Sequence, residues 1–293
     1  MKRSNHHILP VLSLLLTATL WGLVWYPLRL LEGQGLSGLW VTLASYGAAM
    51  ALGLVWLWRY RGDWKYKPLV LAMMTVAVGW CNVSFVLAIL DGTVVRVLLL
   101  FYLSPLWALL LGWLLLREHP GASGLVVFAL AVAGGITMLW DPDMGMPWPR
   151  DRADWLAVSS GFAFSFANVM VRKSQRVSMQ TKSGASWLGV VLVAGTWILV
   201  AQEPIPSVEA SSWMYAALLG WCGFVVMTVT VIYGVSHMPV HRSAVILLFE
   251  LVIGAASSLL LTDERVLLQE WIGGALIVMA AYLAAHAHIG EQR

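Results

Sequence analysis

One uncharged run limits what this chain can fold into. Between Arg96 and Glu118 the sequence reads RVLLLFYLSPLWALLLGWLLLRE, with no charged residue between Arg96 and Arg117. A helix needs about 20 apolar residues to cross the roughly 30 Å hydrocarbon core of a membrane. Backbone groups inside lipid must find their hydrogen bonds within the segment itself. This run therefore predicts a membrane-spanning helix.

The same pattern returns later in the chain. Arg242 to Glu264 reads RSAVILLFELVIGAASSLLLTDE, with the same arginine start, the same length and the same glutamate end. In this second copy Glu250 stands mid-span, opposite Ser104 of the first copy. A repeat within a membrane chain predicts two related halves with the working site between them.

The composition agrees with a chain that lies largely in lipid. Of the 293 residues 60% are apolar and only 11% are charged, whereas soluble domains carry about 25% charged residues. The net charge of +3 does not indicate a nucleic-acid partner. Cys81 and Cys222 both fall within predicted spans, so we expect lone buried thiols and no disulfide.

The apolar pattern predicts an all-α integral membrane protein with ten spans. They run approximately over residues 8–30, 36–58, 67–89, 94–116, 122–140, 153–171, 184–201, 213–235, 242–261 and 268–287. The segment from Asp141 to Asp154 is rich in proline and glycine and lies between spans five and six. We expect a first repeat over residues 1–141, a connecting loop over 142–152 and a second repeat over 153–293. Because each repeat has an odd number of spans, the two must be inverted relative to each other.

Positive charges predict the orientation of the chain. Thirteen of the 18 lysines and arginines fall on the side of the predicted N-terminus. Cytoplasmic loops carry an excess of lysine and arginine. We therefore expect an inner-membrane protein with both termini in the cytoplasm.

Three matches in conserved order support the repeat. Gly79-Trp80-Cys81 recurs as Gly220-Trp221-Cys222, Arg29 matches Arg172, and Arg96 matches Arg242. The spacings are 141, 143 and 146 residues. Short insertions account for the differences between these spacings.

These motifs resemble the EamA-type members of the drug/metabolite transporter superfamily. TLWGLVWYPLRLL is similar to the opening signature of that family, with Arg29 where the pattern usually has lysine. AILDGTVVRVLLLFYLSPLWALLLGWLLLRE resembles its fourth-span pattern, and LLLTDE resembles the version in the second repeat. The second copy departs by carrying Leu251 where the first has Pro105, and by adding Glu250.

The resemblance implies ten helices in an inverted 5+5 repeat around a central cavity. It also implies secondary transport, often the export of amino acids or other small metabolites, coupled to protons or to exchange. The partners implied are a small-molecule substrate and membrane lipid, and a homodimer remains open. We expect no cofactor, since the chain lacks Walker, dinucleotide, nucleophile-elbow and zinc-protease motifs.

Glu250 is the sharpest candidate for a site. Inserting a charged carboxylate into a span costs about 2.5–3.5 kcal/mol or more, so such groups face a cavity, pair with a cation or stay protonated. The functional interpretation is a proton-coupling or substrate-amine site. The alternative is a protonated acid that bonds a neighbouring helix.

Arg29 lies on the predicted outer side, against the charge rule. It could hold a substrate carboxylate or pair with Glu32, or it could simply reach the interface as long basic side chains do. Trp21 and Trp25 are four residues apart and share a helix face. That face suits an apolar or cationic ligand, or lipid.

Asn82, Tyr102 and Asn168 are polar groups in mid-span. Hydrogen bonds between helices explain such residues without any function, at about 0.6 kcal/mol each. Lining of a shared cavity is the alternative. The candidate substrate-binding set is therefore Trp21, Trp25, Arg29, Asn82, Tyr102, Asn168 and Glu250, and we expect no catalytic or metal-binding residue.

Other features favour structural roles. Pro105 predicts a kink or hinge in its span. Gly134-Gly135 and Gly273-Gly274 predict close helix packing, either with each other or with a second copy. We expect Arg172 and Glu118 to be interface anchors. Rival functions are a flippase for lipid-linked substrates, a non-transporting accessory subunit and a membrane-embedded enzyme.

Overall fold

A computed structural model describes residues 5–91, 94–140, 149–261 and 268–290. Within these ranges all regular secondary structure is helical. Most of the predicted connecting loop and the Asp263–Glu264 end of the second long run lie outside the described residues.

In the part of the first repeat that the structure describes there are six α-helices. They are α1 (Asn5–Gly33), α2 (Gly38–Arg59), α3 (Pro68–Asp91), α4 (Val94–Phe101), α5 (Ser104–Leu111) and α6 (Ala122–Leu139). A 3₁₀ turn, Arg61–Lys65, joins α2 to α3, and a π-helical segment, Gly112–Leu116, extends α5.

The described residues of the second repeat form seven α-helices. They are α7 (Arg152–Lys173), α8 (Met179–Ala201), α9 (Ala210–Leu218), α10 (Val225–His237), α11 (Val240–Leu247), α12 (Phe249–Leu261) and α13 (Leu268–Gly290). A π-helical segment, Leu219–Phe224, joins α9 to α10.

Among the described residues, five stretches are long and apolar enough to cross a membrane by themselves: Ile8–Gly33, Gly38–Arg59, Pro68–Ala88, Met179–Ala201 and Ala210–His237. Further apolar helices are shorter, over Ser104–Leu116, Ala122–Thr137 and Trp271–Leu283. The predicted spans 94–116 and 242–261 are each broken, into α4–α5 and into α11–α12. The chain is therefore an all-α integral membrane protein, and the fourth span of each repeat is discontinuous.

The helices pack in a reciprocal pattern. In the first repeat α3 packs on α7 of the second, and in the second repeat α10 packs on α1 of the first. Likewise α4 and α5 contact α7, while α11 and α12 contact α1. Each contact from the first repeat to the second thus has an equivalent contact from the second repeat to the first. Such reciprocal contacts indicate that a two-fold axis relates the two repeats. With five spans in each copy, that relation inverts one repeat relative to the other.

Two glycines matched in the sequence show the reciprocity at atomic level. A Cβ on Gly79 would lie 2.3 Å from the carbonyl oxygen of Gly189, and a Cβ on Gly220 would lie 2.1 Å from the carbonyl oxygen of Ser45. Small residues let helix backbones approach this closely in membranes. The repeated Gly-Trp-Cys motif thus marks where α3 meets α8 and where the π-segment meets α2.

The two glycine pairs of the fifth and tenth spans also act in packing. A Cβ on Gly134 of α6 would lie 2.7 Å from the carbonyl oxygen of Gly273 of α13. The two spans therefore pack on each other within one chain.

We call one end of the bundle the basic end. It comprises residues 59–67, 117–118, 172–182 and 236–242. There the carboxylate of Asp63 accepts hydrogen bonds from Ser178 N at 2.9 Å and Thr181 Oγ1 at 2.8 Å. Burial opposes ionisation of Asp63, but these hydrogen bonds prevail and its pKa falls below the usual value. The 3₁₀ turn is thereby joined to the N-cap residue and the first turn of α8.

At the opposite end the loop between α1 and α2 is joined to the loop between α8 and α9. Ser37 bonds the carboxylate of Glu203, and the Trp40 indole donates to the carbonyl oxygen of Pro204 at 2.9 Å. Ser212 Oγ also donates to Gln34 Oε1 at 2.8 Å. Both ends of the bundle therefore have polar contacts between the repeats.

Gly189→Ala should destabilise the protein, since the added Cβ would lie 1.9 Å from the carbonyl oxygen of Thr75. Overpacking of this kind costs about 1–3 kcal/mol. Gly195→Ala, on the same helix, is the matched control because a Cβ there meets nothing within 4 Å. Thermal unfolding of the purified variants in detergent measures the difference, and equal midpoints would contradict the α3–α8 contact.

Asp63→Asn should lower the unfolding midpoint at pH 7. A carboxylate whose pKa is depressed by folding stabilises the native state above its unfolded pKa, about 3.9, and loses that contribution as pH falls through the folded value. The gap between wild type and variant should therefore narrow on acidification. Glu32→Gln, at an exposed acid at the other end, should show no such gap.

Candidate functional site

The two broken spans provide the frame of the candidate site. The first breaks at Tyr102 and Leu103, between α4 and α5, and the second breaks at Leu248, between α11 and α12. With the Arg96–Arg242 spacing of 146, Leu248 corresponds to Tyr102. Discontinuous helices at equivalent places of two inverted repeats are typical of binding sites at the middle of a membrane.

A proline explains the first break. Pro105 lies in the first turn of α5 and has no N–H, so the carbonyl oxygen of Phe101 loses its intrahelical donor. The backbone of α7 closes over this oxygen, because a Cβ on Gly161 would lie 2.6 Å from it. Next to it, Ser165 Oγ donates to the carbonyl oxygen of Ser104 at 2.7 Å.

The second break forms without proline. The Leu248 N–H is shared between the carbonyl oxygens of Ala244 and Val245, at 3.3 and 3.2 Å. On the other side, α1 lies against the break, because a Cβ on Gly22 would be 2.7 Å from the carbonyl oxygen of Glu250. Gly22 corresponds to Ser165 and Glu250 to Ser104, so the same contact holds each break.

Glu250 and Tyr102 meet between the two breaks. Glu250 lies in the first turn of α12 and is partly buried, and the Tyr102 hydroxyl forms a hydrogen bond with its carboxylate. A helix N-terminus favours a negative charge. The Cys81 thiol lies within electrostatic range of the same carboxylate. Two residues predicted from separate repeats thus form one polar pair.

A chain of aromatic rings leads to this pair from α1. Trp21 meets Phe164 edge-on at 5.7 Å between ring centroids, Phe164 lies 5.8 Å from Phe101, and Phe101 lies 5.3 Å from Tyr102. Such ring pairs favour edge-on contacts of 4.5–7 Å. Trp21 and Phe164 are separated by the 143-residue repeat spacing, so they meet across the axis that relates the halves.

Trp25 and Arg29 form a separate group. The Trp25 indole donates to Ser257 Oγ at 2.9 Å, and Ser257 Oγ donates to the carbonyl oxygen of Gly22 at 3.1 Å. The guanidinium carbon of Arg29 lies 5.7 Å from the centre of a Trp25 ring. Arg29 is exposed at the end of α1. These two residues lie further along α1 than the aromatic chain.

The two predicted asparagines lie outside the Glu250–Tyr102 pair. Asn82 Oδ1 accepts from the Tyr46 hydroxyl at 3.0 Å, and Asn82 Nδ2 donates to the carbonyl oxygen of Val78 at 2.9 Å. Its side chain therefore joins α2 to α3. Asn168 is partly buried on α7, four residues after Phe164, and so shares a face with it.

Sequence reasoning missed Phe101, Phe164, Gly22 and Cys81. The repeat itself carried a signal for one of them, since adding the 143-residue spacing to Trp21 leads to Phe164. No pattern pointed to Phe101, which is one apolar residue among many in its span.

The basic end contains an ion pair between two residues that we expected to be independent anchors. Arg172 Nε lies 3.1 Å from Glu118 Oε1, and the second oxygen of Glu118 accepts from Val240 N at 2.9 Å. Arg172 also donates to the carbonyl oxygen of Ser236 at 2.7 Å. These bonds join the ends of the fourth, sixth and eighth spans to the start of the ninth.

A groove of about 510 Å³ lies elsewhere, between α3 and α7. It is lined by Ala72, Met73, Val76, Ala77, Trp80, Ser159, Phe162, Ala163 and Phe166. A much smaller void of about 10 Å³ lies beside Tyr102 and Leu248. Among the described residues, no group of three histidine, cysteine or acidic side chains is placed to hold a metal ion.

The fold and the site define an integral membrane protein of two five-span repeats with a polar pair between them. The sequence matches the EamA-like transporter family over residues 8–140 and again over 151–285. The chain belongs to this family. The prediction of an EamA-type chain of the drug/metabolite transporter superfamily is therefore confirmed.

Individual relatives agree with this assignment. The chain is 24% identical over 202 residues to "Uncharacterized transporter PA0485" of Pseudomonas aeruginosa, an alignment that spans 66% of this chain and 64% of that protein. A solved structure described as "Crystal structure of protein" superposes with a TM-score of 0.67 at 19% identity, over 93% of this chain and 96% of the other. The latter supports the fold alone.

Proposed function

We propose that the chain is a secondary transporter of the inner membrane that exports small amphipathic metabolites, such as amino acids. Family membership supports a membrane transporter rather than an enzyme. The substrate class, the direction and the coupling are our proposal. One observation carries the substrate class and the coupling: the hydrogen-bonded Glu250–Tyr102 pair at the junction of two broken spans.

The chemistry of this pair suits an amine or a proton. A carboxylate at membrane depth is costly unless it has a partner, and such groups mark ion and substrate pathways. An ammonium group would replace the Tyr102 hydroxyl as partner of Glu250. The adjoining rings of Trp21, Phe164 and Phe101 would take the apolar body of the substrate, or its cation, by contact with their faces.

The reciprocal packing supports alternating access. Inverted repeats move by rocking one group of helices against the other around a fixed site. We propose that the basic end faces the cytoplasm. In this structure the Glu118–Arg172 ion pair joins the fourth and sixth spans at that end. Export would require this ion pair to break, so that substrate can reach Glu250 from the cytoplasm.

Glu250→Gln should abolish coupled transport. The amide keeps the size and the hydrogen bond to Tyr102, but it can neither release a proton nor balance an ammonium charge. We expect at least a tenfold loss of amino-acid exchange across a substrate panel in reconstituted vesicles, with loss of the pH dependence of the wild type.

Glu32→Gln is the control for this experiment, since Glu32 is an exposed carboxylate on the same helix as Trp21. Tyr102→Phe should give a partial loss, because Glu250 remains and only its hydrogen bond is removed. A Glu250→Gln protein that transports at the wild-type rate, with unchanged pH dependence, would disprove the role of this carboxylate.

Arg29→Ala should weaken transport of substrates that bear a carboxylate, while Arg29→Lys should retain most of it. Arg29 is exposed on the face of Trp25, and lysine preserves the charge that would receive the carboxylate. Comparing an amino acid with its decarboxylated amine in the same vesicles isolates this effect. Equal losses for both substitutions and both substrates would show that Arg29 is an anchor only.

A second candidate function is lipid flipping. The groove between α3 and α7 favours it, because its volume of about 510 Å³ and its apolar lining suit an acyl chain. Translocation of a fluorescent phospholipid in the same vesicles separates the two functions. Lipid movement that survives Glu250→Gln, without amino-acid exchange in the wild type, would favour the flippase.

A further inference from the structure

Lys182 is a buried cation at the basic end. It lies in the first turn of α8, its exposed fraction is 3%, and its ammonium nitrogen is 3.2 Å from Ser236 Oγ. Lysine is almost never fully buried unless it is paired. A hydroxyl is a weak partner for a full positive charge withdrawn from water.

A second cation stands next to Lys182. Arg172 donates to the carbonyl oxygen of Ser236, while Lys182 donates to the hydroxyl of the same residue. Arg172 acts on Lys182 as a repelling charge. Two positive groups therefore converge on Ser236 at the end of α10.

Glu118 neutralises only one of them. One of its oxygens is bonded to Arg172 and the other accepts the backbone N–H of Val240. Both carboxylate oxygens are thus engaged away from Lys182. An additional anion placed between Lys182 and Arg172 would complete the charge balance of this cluster.

We propose that Lys182 and Arg172 bind the carboxylate or phosphate group of a small soluble ligand at the basic end. The bound anion would compete with Glu118 for Arg172. Glu118 would then be free to leave its hydrogen bond with the Val240 N–H. This deepens the proposed function and rests on it, because the ligand would be the transported species entering from the cytoplasm. Guanidinium pairs with carboxylate or phosphate through two parallel hydrogen bonds, which suits such an exchange.

Anion-dependent stabilisation of the full-length protein in detergent tests the site without transport. Sodium phosphate and sodium acetate are compared with sodium chloride at equal ionic strength, because screening alone changes with salt. A ligand that binds the native state raises the unfolding midpoint by mass action. We expect phosphate or acetate to raise the wild-type midpoint by at least about 2 °C, which is measurable for a chain of this size.

Lys182→Met should abolish this anion-dependent rise, and Lys182→Arg should retain it. Lys173→Met is the matched control, since Lys173 is an exposed lysine at the same end and its loss should leave the rise unchanged. The baseline stability of Lys182→Met is not the readout, because removing a buried charge can itself stabilise a protein. An identical rise in Lys182→Met and wild type would overturn the proposal.

Glu118→Gln gives an independent test with the opposite sign. Without its competitor, Arg172 becomes available, so half-maximal stabilisation should require about five- to tenfold less phosphate, in line with typical coupling between sites. A purely structural role for Lys182 predicts no such gain. Weaker anion binding by Glu118→Gln would also overturn the proposal.

The headgroup of an anionic lipid is another source of a phosphate group. The wild type is compared in neutral phosphatidylcholine vesicles and in vesicles that contain anionic phosphatidylglycerol. Stabilisation by the anionic lipid alone, with none by phosphate or acetate, would overturn a soluble ligand. Glu250→Gln should keep the rise in unfolding midpoint with phosphate. The transport assay therefore tests the proposed function at Glu250, and the unfolding midpoint tests the anion site separately.

Discussion

The structure depends on the need to satisfy backbone polar groups where a membrane helix is interrupted. Lipid offers no hydrogen bonds, so irregular backbone survives only where protein covers it. Here the two interruptions are each covered by the first helix of the other repeat. Gly161 and Ser165 of α7 lie against the first break, and Gly22 of α1 lies against the second. Glycine and serine are small enough to allow this approach.

This arrangement has a consequence for the polar side chains nearby. Because α1 and α7 seal the breaks from either side, Tyr102 and Glu250 are directed to each other at the boundary between the repeats. The same helices bring Trp21 and Phe164 into contact. At this position the two repeats differ in chemistry, with Glu250 in one repeat where the other has Ser104. A single carboxylate thus stands at the centre of a nearly symmetric frame.

Equivalent residues also make different contacts at the two ends of the bundle. At the basic end, Glu118 bonds both Arg172 and the backbone of Val240. Arg29 is the repeat counterpart of Arg172, yet it lies on an aromatic ring at the exposed end of α1. Related residues therefore make a firm contact at one end and a solvent-accessible one at the other.

Much of this architecture could be predicted from the sequence, because its signals are local. Length and apolar content identify the spans, odd parity implies inversion, and Glu250 is conspicuous as a carboxylate in an apolar run. A kink at Pro105 was also expected, since proline removes a backbone donor, and the structure has a full break there. The break at Leu248 was not expected, as no proline or glycine stands there.

Tertiary structure alone decided which polar groups became partners. Asn82 and Tyr102 are both mid-span polar residues, yet one joins α2 to α3 through Tyr46 and the other meets Glu250. From their positions in the sequence, Arg172 and Glu118 were expected to be ordinary interface anchors. In the structure they form an ion pair with each other. The physical reason is that the sequence determines how far a helix runs and how apolar it is, whereas pairing depends on rotations and crossings set by small residues on distant helices. The sequence by itself determined an inverted two-repeat membrane chain, and the packing of Gly22, Gly161 and Ser165 decided where its polar centre lies.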